Sequence, residues 1–375
     1  MKQFYLMDYK ELGMQFAQNV ADSDDLSKSI KERFYQQWEM YKHFGVFDLL
    51  KINDSTIDKD SIYNLIQFMY GLGLGSTAMG ICFPINVQIW ACIAPIVKYK
   101  KNIYLKNIQT ELLSGKLIGA HAISETEAGS DVFNLETVYE ETKDGYLLNG
   151  RKNYVTNAPY ADVYLVYARK KGSLNFKSIS CFIIKKENEG FSVSKEIKKM
   201  GMELSPMASI YLNNCLVSQE CLLGKENQGM PIFNYTMMHE RTFLLAFQVG
   251  IMESQLNRTL NFCKRRQQSG KAIIEFQSVS NRIADMKVNL EACKLFLNHI
   301  VKCLQEDKDT FLDSSIAKLF ISERLVENSV LSMKNYGTFG YTQECYIEEQ
   351  IRDSFGSLFY SGTSDIQRNI ISSLM

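Results

Sequence analysis

Apolar positions change their period twice along the chain. Over residues 1–120 they recur at helical intervals, at 12–50, 62–70 and 102–113. Over 122–223 they shorten into alternating runs split by turn residues, which is a strand pattern. Runs at 136–141 and 146–148 flank Asp144-Gly145, and Asn149-Gly150 follows; both dipeptides are hairpin signals. Further strands are predicted at 163–168, 180–185, 191–195 and 209–212. Helical spacing returns over 233–266, 276–304 and 311–334. The expected fold is mainly α with a central β domain, divided as 1–120, 121–226 and 227–375. Strands segregated from helices argue against alternating βαβ units. That demotes Gly73-Leu74-Gly75-Ser76-Thr77-Ala78, a loose dinucleotide fingerprint, to a loop between helices, because no strand precedes it.

Composition narrows the function classes. Forty-two basic residues balance forty-two acidic ones, so no bulk field draws the chain to nucleic acid or an anionic membrane. The most apolar stretch, 81–97, contains Asn86, Gln88 and two prolines. It falls short of the ~20 residues that span a bilayer, and reads as a buried helix. Residues 1–10 lack the apolar core of a signal peptide. Nine cysteines without a CxxC pair, and four scattered histidines, argue against a disulfide framework or a protein-bound metal. The expectation is a cytoplasmic protein with reduced thiols. Two basic clusters, Lys98 to Lys101 and Lys264 to Arg266, are solvated faces or anion sites.

Glu240 is the most informative residue by position. Phe233, Met237, Glu240, Leu244, Phe247 and Ile251 follow spacings of four and three, one face of a helix. A carboxyl on that apolar face has its pKa raised by desolvation, as suits a general base near neutrality. By spacing alone, a salt bridge to a distant Arg or Lys accounts for it equally well.

Six segments, in order, resemble the acyl-CoA dehydrogenase superfamily. They are AISETEAGSD (122–131), DGYLLNGRKNYVTNAPYAD (144–162), LLGKENQGM (222–230), IIEFQSVSNRIADMK (273–287), YGTFGY (336–341) and IRDSFGSLFYSGTSDIQRNII (351–371). The resemblance implies an N-terminal helical domain, a β-barrel or sandwich domain and a C-terminal four-helix bundle, assembled as a homotetramer with FAD between sheet and bundle. On the cofactor it implies roles for Ser124, Gly129, Ser130, Tyr154 and Thr156. It also implies that Arg266 reaches the pyrophosphate of a neighbour's FAD, and it places Gln277, Gly337, Thr363 and Asp365 in cofactor-binding motifs.

Departures from the family pattern are as informative. The usual catalytic Glu immediately before Gly-Thr is replaced by Ser361. In a branch resembling isovaleryl-CoA dehydrogenase the base stands on a bundle helix before an Arg, the position of Glu240-Arg241. Met238 replaces an Asp that contacts the pantetheine arm. With Tyr360 to Ser364, these changes look most like the branch oxidising acyl or aminoacyl groups tethered to carrier proteins, prolyl among them. The resemblance therefore implies Glu240 as base, Arg241, Tyr360 and Ser361 at the substrate, and a carrier-protein partner that the Lys98 to Lys101 patch could steer. For Ser361 it implies a role for the backbone N–H alone. The other classes left open are an ordinary short- or branched-chain acyl-CoA dehydrogenase, a flavin monooxygenase on the same fold, and a flavin-free structural protein.

Overall fold

The computed structural model describes residues 8–76, 78–80, 82–132, 134–173, 175–306 and 308–375. Its first third is helical because capping residues stand where apolar periodicity begins. Asp8 accepts from the Lys10 and Glu11 N–H groups and opens α1 (Tyr9–Ser23). A Ser29/Glu32 capping box opens α2 (Ile30–His43). A short hairpin, β1 (Ile52–Asn53) and β2 (Thr56–Ile57), leads to α3 (Lys59–Gly75), which Asp58 caps. Next come α4 (Cys82–Asn86), a π-wound segment (Val87–Ile93), α5 (Ala94–Tyr99) and α6 (Ile103–Leu113). Residues 82–97 are buried throughout, as the sequence predicts for that stretch; Ile81 lies outside the described residues.

The glycines of the apparent fingerprint are a correction. Gly73 and Gly75 lie inside α3 and not in a loop; Thr77 is outside the described residues. A Cβ on Gly73 would stand 2.2 Å from the Phe247 carbonyl, so glycine lets two helix backbones touch.

The central region is one eight-stranded sheet. Its strands are β3 (Gly119–Ala122), β4 (Val138–Thr142), β5 (Gly145–Thr156), β6 (Val163–Lys170), β7 (Ile179–Lys185), β8 (Phe191–Val193), β9 (Met207–Val217) and β10 (Leu222–Leu223). Order across the sheet is β10-β7-β6-β4-β5-β9-β8, with β3 parallel to β6. The turn before Gly145 makes the expected hairpin. Asn149-Gly150 does not: both lie within β5, where the β9 register shifts between Leu148 and Gly150. Gly150 has φ 149, and a Cβ there would meet Thr137 Oγ1 at 2.5 Å. The glycine therefore serves a bulge and a close approach, the other use of an Asn-Gly pair.

Three long helices follow, α7 (Gly229–Arg265), α8 (Gln277–Gln305) and α9 (Phe311–Tyr336). Between α7 and α8 sits a small hairpin, β11 (Gln267–Gln268) and β12 (Lys271–Ala272). Two short helices, α10 (Tyr346–Gly356) and α11 (Ser364–Ser373), pack on α9 and complete the fourth side of the bundle. One hydrophobic core runs through all three regions.

Candidate active site

The sheet, the N-terminal helices and the bundle meet around a cavity of about 930 Å³. Ser124, Gly129 and Ser130 enter from the segment after β3, and Tyr154 and Thr156 from the end of β5. Met237, Glu240 and Arg241 enter from α7. Tyr360, Ser361 and Thr363 enter from the turn between α10 and α11. Residues far apart in sequence thus share one space. Arg266, Gln277, Gly337 and Asp365 lie outside it, exposed on the surface.

Glu240 is 6% exposed. Burial raises its pKa, and a hydrogen bond from Ser361 together with the nearby Arg241 charge pulls partly back. The Ser361 hydroxyl donates to Glu240 Oε1 at 2.5 Å. That is a correction to the role expected of Ser361: its side chain, not only its N–H, belongs to the site. Its φ is 54, in the left-handed region that few non-glycine residues adopt. Its N–H has no acceptor among the described residues.

The turn carrying Ser361 is tied from three directions. Arg241 Nε donates to the Ser361 carbonyl at 3.2 Å, and its Nη1 donates to Ser315 Oγ at 3.1 Å. Gln367 Nε2 donates to the carbonyls of Ser361 and Gly362 at 3.2 and 3.1 Å. Lys318 Nζ donates to the Ser357 carbonyl at 2.7 Å. Burial pushes the Arg241 guanidinium down to about 10. It pushes Lys318 down to about 7, with the Arg241 charge adding to the effect. Tyr360 packs on Phe83, ring centroids 4.6 Å apart, and its hydroxyl accepts from Gln248 Nε2 at 2.8 Å.

The opposite wall is polar and aromatic. Tyr154 has φ 58 at a second register break in β5, and its ring is 61% exposed. A ring held in the open at a strained backbone position is a feature found at functional sites. The hydroxyls of Ser124, Ser130 and Thr156 beside it have no hydrogen-bond partner among the described residues.

Behind this wall lies a buried ion pair. Lys152 Nζ is 2.6 Å from Glu125 Oε1, with side chains 0% and 4% exposed. Glu125 also accepts the Glu136 and Thr137 N–H groups at 2.6 and 3.0 Å, while Lys152 donates to the Ile123 carbonyl at 3.2 Å. The pair therefore pins the segment that begins the cavity wall. Burial pushes Lys152 down to about 8 despite its partner. For Glu125 burial alone would raise the pKa, but Lys152 and the N–H donors outweigh it and the net direction is down.

Asp353 of α10 carries no signal in the sequence that marks it for a role. It accepts the Met79 N–H at 2.8 Å and the Met202 N–H at 2.5 Å. One carboxylate thus joins the N-terminal helices and the sheet to the bundle. Its burial at 1% exposure was not readable from an I-R-D-S segment with ordinary charge spacing.

Two family models match the chain. Models for the acyl-CoA dehydrogenase middle domain and C-terminal domain match residues 120–215 and 227–375. The chain belongs to the acyl-CoA dehydrogenase family. It is 36% identical over 300 residues to the L-prolyl-(peptidyl-carrier protein) dehydrogenase of a Serratia species, covering 80% of this chain and 78% of that one. The crystal structure of the prolyl acyl carrier protein oxidase AnaB matches with TM-score 0.89 at 33% identity, over 98% of this chain and 97% of the other. PigA with FAD and proline matches with TM-score 0.88 at 30% identity, over 99% and 98%.

Proposed function

We propose that this protein is an FAD-dependent oxidoreductase that removes two hydrogens from a prolyl thioester carried on a peptidyl-carrier protein. The observation that carries the reaction class is Glu240: a buried carboxyl with a raised pKa, bordering a cavity whose far wall is aromatic and hydroxyl-lined. The substrate reading rests on the relatives, three of which are described as acting on, or holding, prolyl carriers or proline.

The residues present suit FAD. An exposed aromatic ring and three unpartnered hydroxyls fit a planar heteroaromatic system with hydrogen-bonding edges. Tyr154, Ser124, Ser130, Thr156 and Thr363 would hold it, with Gly129 allowing close backbone approach. When bound, FAD supplies the acceptor for the hydride removed from the substrate.

The chain's own residues do the rest. Glu240 takes the α-proton. The thioester carbonyl accepts from the Ser361 N–H, a donor fixed in place where enolate charge develops, which is the most effective form of such stabilisation. Ser361 Oγ orients the Glu240 carboxylate, and Arg241, Lys318 and Gln367 hold the turn that supplies both groups. Burial in the cavity strengthens each of these terms.

Ser361→Ala follows from the sign of the Glu240 shift. The Ser361 hydroxyl lowers the Glu240 pKa, so its loss moves that pKa further up. The base acts as a carboxylate. The acid limb of kcat/KM should therefore shift to higher pH, with the rate partly restored above it. An unshifted pH profile would show that the hydroxyl does not act on Glu240.

Arg266, Gln277, Gly337 and Asp365 are exposed and do not line the cavity, although Asp365 stands beside Thr363 and Ile366, which do; such exposure suits contacts with a second copy of the chain, in line with a homotetramer. The mass of the holoenzyme in solution tests that assembly. The Lys98 to Lys101 patch is less free than its sequence suggests. Lys98 Nζ stands 4.0 Å over the Tyr235 ring, and Lys100 Nζ donates to the Asp54 and Val97 carbonyls. Docking of a carrier protein therefore does not rest on these lysines. All nine cysteines are free and buried, which fits a reducing cytoplasm. Among the described residues no helix is long and apolar enough to cross a membrane.

The substrate is tested by comparing prolyl carrier protein with prolyl-CoA and isovaleryl-CoA, reading product mass two hydrogens lighter. Turnover of the carrier-bound thioester should far exceed both. Equal or faster oxidation of isovaleryl-CoA would return the enzyme to the acyl-CoA branch.

A further inference from the structure

We propose a divalent transition-metal site where α8 meets α9, built by His299, Cys303 and Asp313. The sequence reading expected no metal because its histidines and cysteines are scattered. His299 and Cys303 nevertheless stand four residues apart near the end of α8, so both project from one helix face. Asp313 comes from the first turn of the antiparallel partner α9.

The donor atoms converge. His299 Nε2 lies 3.1 Å from Asp313 Oδ1 and 3.7 Å from Cys303 Sγ. All three lie within 4.8 Å of one another. Zinc bonds of ~2.0–2.3 Å give tetrahedral ligand-to-ligand edges of roughly 3.3–3.6 Å, so two of the three edges are close to formed. A plain His–Asp ion pair accounts for the first distance but not for a thiol directed at the same nitrogen. An imidazole, a thiolate and a carboxylate suit Zn²⁺ or Co²⁺ and not Mg²⁺ or Ca²⁺, which take oxygen shells. Cys303 closes the inner side at 7% exposure. The His299 and Asp313 side chains are 57% and 35% exposed, which leaves the fourth position to water.

Binding forms three bonds, from the metal to the Cys303 sulfur, to the neutral His299 nitrogen and to the Asp313 oxygen. The Cys303 thiol proton goes to solvent, and no electrons are transferred. The site adjoins the active cavity through α9. Phe311, two residues before Asp313, lines the cavity, with the Arg241 guanidinium 5.5 Å from its ring. Ser315, two residues after, accepts from Arg241. A metal at Asp313 clips the helix start that carries both contacts.

Tag-free holoenzyme titrated with CoCl₂ tests the site. The expected result is one Co²⁺ per chain, with a thiolate-to-cobalt charge-transfer band. Ligand-field bands of tetrahedral intensity should appear to the red of the flavin, and ZnCl₂ should bleach both. Cys303→Ser should remove the charge-transfer band, and Cys345→Ser should leave it unchanged. His299→Ala should weaken uptake by at least ~10–100-fold, the loss typical of disturbing even the surroundings of a metal ligand. Equimolar Zn²⁺ should raise the melting temperature of the wild type and not that of Cys303→Ser. No stoichiometric cobalt in the wild type, or a charge-transfer band retained in Cys303→Ser, overturns the proposal.

Discussion

Glu240→Gln should lower turnover by ~10²–10⁴-fold, about 3–5 kcal/mol of barrier, while the protein folds and keeps its cofactor. The amide keeps the shape of the carboxylate and can still accept from Ser361 Oγ, but it cannot take a proton from carbon. The same variant makes a stability prediction of opposite sense. Burial holds the folded pKa of Glu240 above its ordinary value, and this outweighs Ser361 and Arg241. A group raised in this way contributes stability at low pH and loses it as pH rises through the folded pKa. At neutral pH the ionised Glu240 therefore costs stability that Gln does not. The melting temperature of Glu240→Gln should equal or exceed that of the wild type, and its advantage should shrink as pH falls. Turnover within a few-fold of wild type would remove Glu240 from the role of base. An inactive variant with a lowered melting temperature would point to a structural carboxylate instead.

Lys152→Met should destabilise the protein by about 3–5 kcal/mol, the usual cost of leaving one charge of a buried pair without its partner. Glu125 would keep two N–H donors but lose the cation 2.6 Å away, at a position 3% exposed. The damage should spread to the cavity, because Lys152 also holds the Ile123 carbonyl next to Ser124. Thermal unfolding should show the loss, and FAD should dissociate more readily. Combining Lys152→Met with Glu125→Gln removes the stranded charge and should recover much of the stability, which also covers a single variant too unstable to purify. A single variant as stable as the wild type would show that water reaches the pair.

Much of the architecture was legible because local rules and the global fold agree. The helical periods at 12–50, 62–70 and 102–113 fall on α1 and α2, α3, and α6. The apolar runs at 163–168 and 180–185 form strands buried on both faces. Local rules failed where one dipeptide serves two purposes. Asn149-Gly150 reads as a turn from its own chemistry, and only the approach of Thr137 makes it a bulge. Gly73 reads as a loop until Phe247 of α7 is packed against it.

The candidate site divides in the same way. Sequence alone singled out Glu240 as a carboxylate on an apolar stripe, and the resemblance implied a role for it as base. The stripe itself is only half of the reason. Phe233, Met237 and Glu240 line the cavity, whereas Phe247 and Ile251 meet α3. From Thr242 to Met252 every residue of α7 is buried, so an apolar neighbourhood does not by itself distinguish a catalytic side. What singles out Glu240 is the space beside it and a hydroxyl 121 positions away in sequence. Periodicity is a property of one helix, so one sequence determined which element Glu240 occupies and which neighbours it has on that element. The Ser361 hydroxyl, the Asp353 clamp and the Lys152–Glu125 pair each join separate elements. Only tertiary packing decided them, because desolvation and hydrogen-bond geometry depend on distances in space that spacing along a chain does not contain.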